Sequence, residues 1–137
     1  MKDLSQLKPG QSLLDERIVI SAAAAEAYRT AIEDDTALYA DERLVPPMAV
    51  AALVMGAAMR AVELPAGAVH TGQELEFAAP ISEGAELSCS ATVAQNSVRR
   101  GTRFLVLEIR GEQEGELAVA GRVTIAVAEA DDGSGAR

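Results

Sequence analysis

Apolar and polar positions alternate along the second half of the chain. In Val69–Ala78, apolar Leu75 and Phe77 alternate with glutamates, which is the period of a half-buried strand. Three further β-like segments follow: Leu87–Val93, Phe104–Ile109 and Leu117–Val127. Glycine-containing turn sequences separate them, at Arg100–Thr102 and Gly111–Gly115. The pattern therefore predicts a set of antiparallel hairpins.

The first half of the chain predicts two helices and one extended segment. The extended segment ends at Ile20, and Ser21 is a suitable N-cap for an alanine-rich helix over Ala22–Glu33. After a loop, Pro46 and Pro47 begin a second helix that runs over Met48–Val62 and lacks charge over most of its length. A helix that is apolar on nearly every side is expected to be buried on nearly every side.

The order of these elements predicts an α+β architecture. A sheet must cover its apolar face, and Met48–Val62 is the element apolar enough to be wrapped. We therefore expect a curved antiparallel sheet around a central helix at about residues 47–62, the arrangement called a hotdog fold. Residues 1–128 are expected to form this single domain, followed by an acidic, glycine-rich tail over 129–137. A second chain is expected to pair with an edge of the sheet.

Composition narrows the possible functions. A chain of 137 residues, 49% hydrophobic, buries enough surface for one core, which must be aliphatic because only 3% is aromatic. A net charge of −9 argues against nucleic acid and anionic membrane surfaces as partners. One cysteine cannot form an internal disulfide, and neither a signal peptide nor a spanning segment is evident. These features predict a cytoplasmic protein.

Five short motifs follow one another in an order that resembles a known family. The motifs are Val45–Pro47, Leu64–Phe77, Pro80–Gly84, Arg100–Glu108 and Gly121–Ile125. Over roughly residues 10–128 they resemble the MaoC-like dehydratase family, specifically its amino-terminal-type domain. The resemblance implies a hotdog fold and reversible hydration of enoyl thioesters to (3R)-hydroxyacyl thioesters. It implies no cofactor beyond the coenzyme A or acyl-carrier phosphopantetheine of the substrate.

The loop before the central helix departs from the family pattern. Catalytic members have Asp-x-Asn-Pro-x-His there, whose Asp and His activate a water. Here Asp34 stands at the aspartate position, Thr36 and Ala37 replace Asn-Pro, and Tyr39 replaces the histidine. A phenol is a far weaker base than an imidazole at neutral pH. The chain thus resembles members that keep the fold without the complete dyad, as a homodimer or beside a catalytic hotdog subunit.

Each residue of the candidate dyad has an alternative interpretation. Asp34 is either a remnant catalytic carboxylate or a loop acid, and Tyr39 either lines the thioester pocket or anchors the loop. His70 is a catalytic base, a hydrogen-bonding pocket residue or a structural residue. Simple alternation places it on the face of Glu74 and Glu76, which favours a structural or interface role. A bulge at the nearby glycine would reverse that face.

Two further groups of residues are candidate contacts to an acyl thioester. Arg99, Arg100 and Arg103 form a basic cluster that suits phosphates, or else a solvated hairpin tip. Met55 and Met59 suit the wall of an acyl tunnel, or else ordinary core. No metal site is expected, because the one histidine and the one cysteine lie in separate predicted strands.

Two alternative functions remain open from the sequence. The first is a hotdog acyl-CoA thioesterase, in which Glu63 or Asp34 would activate water. The second is a stand-alone homodimer that binds acyl thioesters without a partner enzyme.

Overall fold

The computed structural model describes residues 2–33 and 37–129. Its long strands are β2 (Ser12–Val19), β5 (Val69–Phe77), β7 (Glu86–Arg99), β8 (Thr102–Gln113) and β9 (Glu116–Ala128). Its short strands are β1 (Lys2–Asp3), β3 (Leu44–Val45), β4 (Val62–Glu63) and β6 (Ile81–Ser82). Its α-helices are α1 (Ala22–Ala31), α2 (Ala37–Asp41) and α3 (Pro47–Arg60), and a 3₁₀ turn covers Leu4–Gln6.

The five long strands form one antiparallel sheet in the order β2-β7-β8-β9-β5. Helix α3 packs on one face of this sheet, against β2, β7, β8 and β9. The side chains between helix and sheet are aliphatic and almost fully buried, including Val54, Leu87, Leu107, Ile109 and Val123. The predicted α+β arrangement of a sheet around a central helix is confirmed.

Four irregularities in strand register curve the sheet, and they explain where simple alternation fails. They lie between Ser12 and Leu14, His70 and Gly72, Val93 and Gln95, and Gly111 and Glu112. A bulge adds a residue and shifts which side chains face the core. Strand β7 therefore continues past the predicted end at Val93, and the turn predicted over Gly111–Gly115 narrows to Glu114 and Gly115.

The central helix is covered on one side, so the prediction of burial on nearly every side is wrong for the chain by itself. Ala49, Val50, Val54, Ala57 and Ala58 are buried against the sheet. The opposite side is open, because a single five-stranded sheet reaches around only part of the helix. No helix in the described ranges has the length and hydropathy needed to cross a bilayer.

The segment between β2 and β3 was predicted as one helix and a loop. The structure ends α1 at Ala31 and adds a second short helix, α2, which packs against β3. Ser21 caps α1 as predicted, because its hydroxyl accepts a hydrogen bond from the Ala24 amide at 3.1 Å. Tyr39 lies in α2, which packs against the short strand β3 that precedes α3.

Candidate functional site

The open side of α3 presents a continuous apolar strip. Met48, Ala52, Met55, Gly56 and Met59 lie on one helical face at intervals of three and four residues. Met48 is 46% exposed, whereas Met55 and Met59 are half-buried and pack in part against the core, as their alternative interpretation as core residues expects. We call these five residues the methionine face. Such a surface suits an apolar chain of variable length, because methionine side chains adapt their shape.

Tyr39 is half-buried in α2, a few residues before α3 begins. The prediction for Asp34 concerns a position outside the described residues. The loop therefore contributes one described candidate, a phenol on the short helix that leads into the methionine-bearing helix. The sequence places this phenol where catalytic members of the resembled family have their histidine.

His70 lies on the opposite face of β5 from the one that alternation predicts. In antiparallel strands, directly opposed residues point to the same side of the sheet. His70 pairs with Ile125, which is 3% exposed, and Leu75 pairs with Gly121 beyond the bulge. His70 thus shares the helix side of the sheet with Leu75, because the register shift before Gly72 inserts an extra residue. It remains exposed, since β5 is an edge strand.

The structure divides the three arginines of the β7–β8 hairpin. Arg99 pairs with Thr102 on one face, whereas Arg103 pairs with Val98 on the other. Arg100 and Gly101 form the turn with φ values of 52° and 76°, and both arginines at the tip are exposed. Arg99 and Arg100, together with Thr102 and Phe104, line a surface cavity of about 610 Å³. The expected cluster of three is therefore reduced to the pair at the tip.

Arg103 belongs to a structural network. Its guanidinium donates to Asn96 Oδ1 at 2.8 Å and forms an ion pair with Glu129. The amide nitrogen of Asn96 in turn donates to the carbonyls of Leu4 and Leu7, at 2.8 and 2.9 Å. Arg103 thus holds the amino-terminal segment to the end of the sheet, a role that sequence spacing did not indicate.

Besides Glu129, the same end of the molecule contains two further carboxylates near Arg103, those of Asp3 and Glu63. Hydrogen bonds from the backbone and hydroxyl of Ser5, with a smaller contribution from the charge of Arg103, hold the pKa of Asp3 below its usual value. Glu63, a candidate thioesterase acid, is exposed in β4 beside Asp3 in β1. It lies after the carboxyl end of α3, at the opposite end of the helix from Tyr39.

A second groove lies on the outer face of the sheet. Its volume is about 460 Å³, and its walls include Glu74, Glu108 and Arg122. Glu108 and Arg122 form an exposed ion pair at 3.8 Å. Paired, solvated charges do not suit an acyl chain, so this groove is not a candidate acyl site.

The single cysteine is a core residue. Cys89 is 1% exposed on the helix side of β7, and burial, with a smaller effect from Glu16, raises the pKa of its thiol to about 11. A reactive cysteine needs an accessible thiolate, which this environment disfavours. Among residues 2–33 and 37–129, no cluster of His, Cys, Asp and Glu is able to hold a metal ion.

Cys89 is expected to resist modification in the folded protein at pH 8 and to react with a thiol reagent such as DTNB once the chain is unfolded in urea. Its folded pKa of about 11 exceeds the ordinary 9.0. The associated stability is therefore present below about pH 9 and is lost as the pH rises toward 11, because the unfolded thiol ionises first. Rapid labelling of the folded protein at pH 8 would show that the thiol is accessible.

The chain is similar in sequence or in structure to several known proteins. The sequence matches the family described as "FAS1-like, dehydratase domain region" over residues 8–120. A comparison with curated protein sequences finds no significant match. The structure is similar to that of the (R)-hydratase from A. caviae involved in PHA biosynthesis, with a TM-score of 0.73 and 26% identity. That alignment covers 88% of this chain and 96% of the hydratase.

Two further solved structures share the fold. One is a MaoC-like dehydratase from Rhodospirillum rubrum, with a TM-score of 0.70, 19% identity, and 93% and 97% of the two chains covered. The other is the HadBC (3R-hydroxyacyl-ACP dehydratase) complex from Mycobacterium tuberculosis, with a TM-score of 0.70, 18% identity, and 87% and 96% covered. Because the family match spans most of the sequence, and the sheet wraps a central helix as in these structures, the chain belongs to the FAS1-like, MaoC-like dehydratase family of hotdog proteins.

Proposed function

We propose that the protein binds acyl thioesters and acts as the non-catalytic or partner subunit of a (3R)-hydroxyacyl-CoA or (3R)-hydroxyacyl-ACP dehydratase. The observation behind this proposal is Tyr39, which stands at the family's histidine position. The chain's single histidine, His70, lies instead on edge strand β5. A phenol is a poor substitute for an imidazole in abstracting or returning a proton at neutral pH.

The methionine face is the proposed surface for the acyl chain. Its residues are apolar, and the small side chains of Ala52 and Gly56 leave space beside the helix. A Cβ built on Gly56 would approach only the Arg60 guanidinium, at 3.6 Å, so the face is open at that point. Covering this surface with an acyl chain removes apolar area from water, which favours binding.

Arg99 and Arg100 are the proposed contacts for the phosphates of coenzyme A or of an acyl-carrier arm. They are adjacent and exposed, and they border the hairpin-tip cavity. Guanidinium groups match phosphate oxygens in geometry and charge. In a chain with a net charge of −9, this pair is a local exception that favours an anionic group.

A second hotdog chain is proposed to pair along β5. The other edge strand, β2, exposes Asp15, Glu16 and Arg17 in succession, and such charges discourage edge-to-edge pairing. Strand β5 also exposes Glu74 and Glu76, but uncharged residues separate them, and its two ends are apolar, with Val69 56% and Phe77 42% exposed. The partner is either a second copy or a catalytic hotdog subunit; the structurally similar HadBC (3R-hydroxyacyl-ACP dehydratase) is itself a complex. A cytoplasmic location suits a chain whose one thiol is buried and unpaired.

The thioesterase alternative receives less support. Hotdog thioesterases need an acid on or near the central helix, and helix α3 contains no Asp or Glu. Glu63 follows α3 at the end distant from Tyr39. A thiol-release assay over several acyl-CoA chain lengths is therefore expected to show no hydrolysis.

The proposal is tested by measuring binding and turnover separately. Isothermal titration of the purified chain with saturated butyryl-CoA is expected to show binding, while hydration of crotonyl-CoA by the chain alone is expected to be absent. Tyr39→His, which restores the family's residue, is expected to gain measurable hydration, because it supplies an imidazole at the position where catalytic members have their histidine. Tyr28→His, at the other tyrosine of the chain, is the matched control.

The outcomes separate the parts of the proposal. Robust crotonyl-CoA hydration by the unmodified chain would overturn the non-catalytic role while leaving the family assignment intact. Absence of butyryl-CoA binding would overturn the acyl-thioester role itself. Equal activity in Tyr39→His and Tyr28→His would show that position 39 is not part of the site.

A further inference from the structure

The segment from Ser21 to Arg43 contains helices α1 and α2, whose described residues bury few apolar side chains, although half-buried Tyr28 of α1 packs against the core. In α1 only Ala25 is fully buried, and most other side chains of that helix are exposed. Ile32 is 50% exposed, and Leu38 in α2 is 55% exposed. The two helices therefore remove little apolar area from water, and polar contacts supply a larger share of what holds them, because burial free energy scales with that area.

The turn between β6 and β7 holds both ends of this segment. The amide of Gly84 donates to the carbonyl of Ile20, which precedes α1, at 2.8 Å. The amide of Glu83 donates to the carbonyl of Arg43, which follows α2, at 2.9 Å. Two successive amides of one turn therefore fix the entry and the exit of the segment.

A side-chain contact from the same turn reaches the middle of the segment. The Glu83 carboxylate accepts from Arg29 Nη1 of α1 at 3.4 Å, and these side chains are only 14% and 13% exposed. The exposed pair Arg17–Glu86, at 3.2 Å, has side chains that are 75% and 55% exposed. Water screens an exposed pair strongly, whereas removing one partner of a shielded pair leaves a charge without compensation.

We infer that the Arg29–Glu83 ion pair is a positioning element: it holds helix α1 to the turn whose Glu83 amide also holds Arg43, two residues after helix α2 and its Tyr39. This inference rests on the proposed function, because it assumes that Tyr39 borders the acyl site. Arg29 and Glu83 act on the ligand through the segment they hold. Breaking the pair leaves both backbone ends tied to the turn and removes a side-chain contact that holds α1 between them.

The test compares Glu83→Gln with Glu86→Gln, which breaks the exposed pair, and with the charge-swapped double variant Arg29→Glu/Glu83→Arg. Hydrogen exchange of residues 22–31 is expected to accelerate about tenfold in Glu83→Gln, with exchange in β8 unchanged. Butyryl-CoA affinity is expected to fall several-fold in the same variant. Glu86→Gln is expected to match the unmodified protein, and the charge swap is expected to recover part of both effects.

A double-mutant cycle with Tyr39→Ala separates positioning from general destabilisation. If Arg29 and Glu83 act through Tyr39, Glu83→Gln is expected to cost less affinity in the Tyr39→Ala background than alone. Additive losses, or unchanged exchange in α1, would overturn the inference. So would faster exchange with unchanged affinity. Absence of butyryl-CoA binding by the unmodified chain would instead overturn the proposed function, and hydrogen exchange would still decide whether the pair anchors α1.

Discussion

Gly121→Ala is expected to lower the free energy of unfolding by about 3 kcal/mol, because it forces a methyl group into a space that the neighbouring strand already fills. A Cβ at this position of β9 would lie 2.6 Å from Leu75 Cδ2 and 2.7 Å from the backbone oxygen of Glu74. The leucine side chain is able to rotate, but the backbone oxygen belongs to β5 and moves only if the strand moves. Urea denaturation followed by circular dichroism measures the loss.

Gly72→Ala is the matched control for this substitution. Gly72 lies on β5 of the same strand pair, and a Cβ there would meet Thr124 Cβ at 3.7 Å, an ordinary van der Waals distance. We expect a change below about 1 kcal/mol, since no atom is displaced. If Gly121→Ala proved as mild as Gly72→Ala, β5 would have to be more loosely attached to β9 than the structure indicates.

The substitution at Gly121 also bears on the site. Strand β5 contains His70, and it is the strand that we propose to pair with a second chain. Displacing β5 from β9 is therefore expected to weaken assembly as well as folding. This effect links a single glycine in the sheet to the edge at which the proposed partner would bind.

The long strands and the central helix were predictable from local features of the sequence. Period-two alternation identifies β5 and β9 within one or two residues, and the proline pair identifies the start of α3. The full length of β7 was not predictable. The register shift between Val93 and Gln95 interrupts the alternation, and without the neighbouring strand this interruption resembles a strand end.

The candidate site was only partly predictable, because its geometry depends on contacts between distant residues. The face of the sheet on which His70 lies depends on a register shift in β5, and only the pairing of His70 with Ile125 reveals that shift. The division of Arg99 from Arg103 follows from the hairpin register, although sequence proximity suggests one cluster. No local period indicates that Glu83 faces Arg29, since the two positions are 54 residues apart.

The exposure of the methionine face was also not predictable from the sequence, for a different reason. Composition shows that α3 is apolar all round, but it does not show how many layers cover it. One sheet buries Val54, while Met48 remains 46% exposed. An apolar side left open by its own chain is typical of a surface that a ligand or second chain covers. The apolar residues of α3 that the sheet leaves uncovered therefore connect the fold with the proposed function, because they form the proposed acyl-binding surface.

Val54→Asp is expected to have the largest effect of any substitution considered, a loss of at least about 4 kcal/mol, enough to unfold a large fraction of a marginally stable domain. Val54 is 0% exposed, and its Cγ2 would lie 3.9 Å from a Cβ built on Gly111 of β8. A carboxylate there has no room for water, and it must be desolvated or protonated for the helix to remain on the sheet.

Leu53→Asp is the control, because the adjacent residue is 39% exposed on the open side of the same helix. Its carboxylate reaches water, so we expect the free energy of unfolding to fall by about 1 to 2 kcal/mol, from lost burial and lower helix propensity, half or less of the loss at Val54. Thermal and urea unfolding of both variants measure the difference. If the two variants unfolded alike, α3 would not be packed on the sheet through Val54. The methionine face would then have no fixed orientation, and both the acyl surface and the positioning of Tyr39 would lose their structural basis.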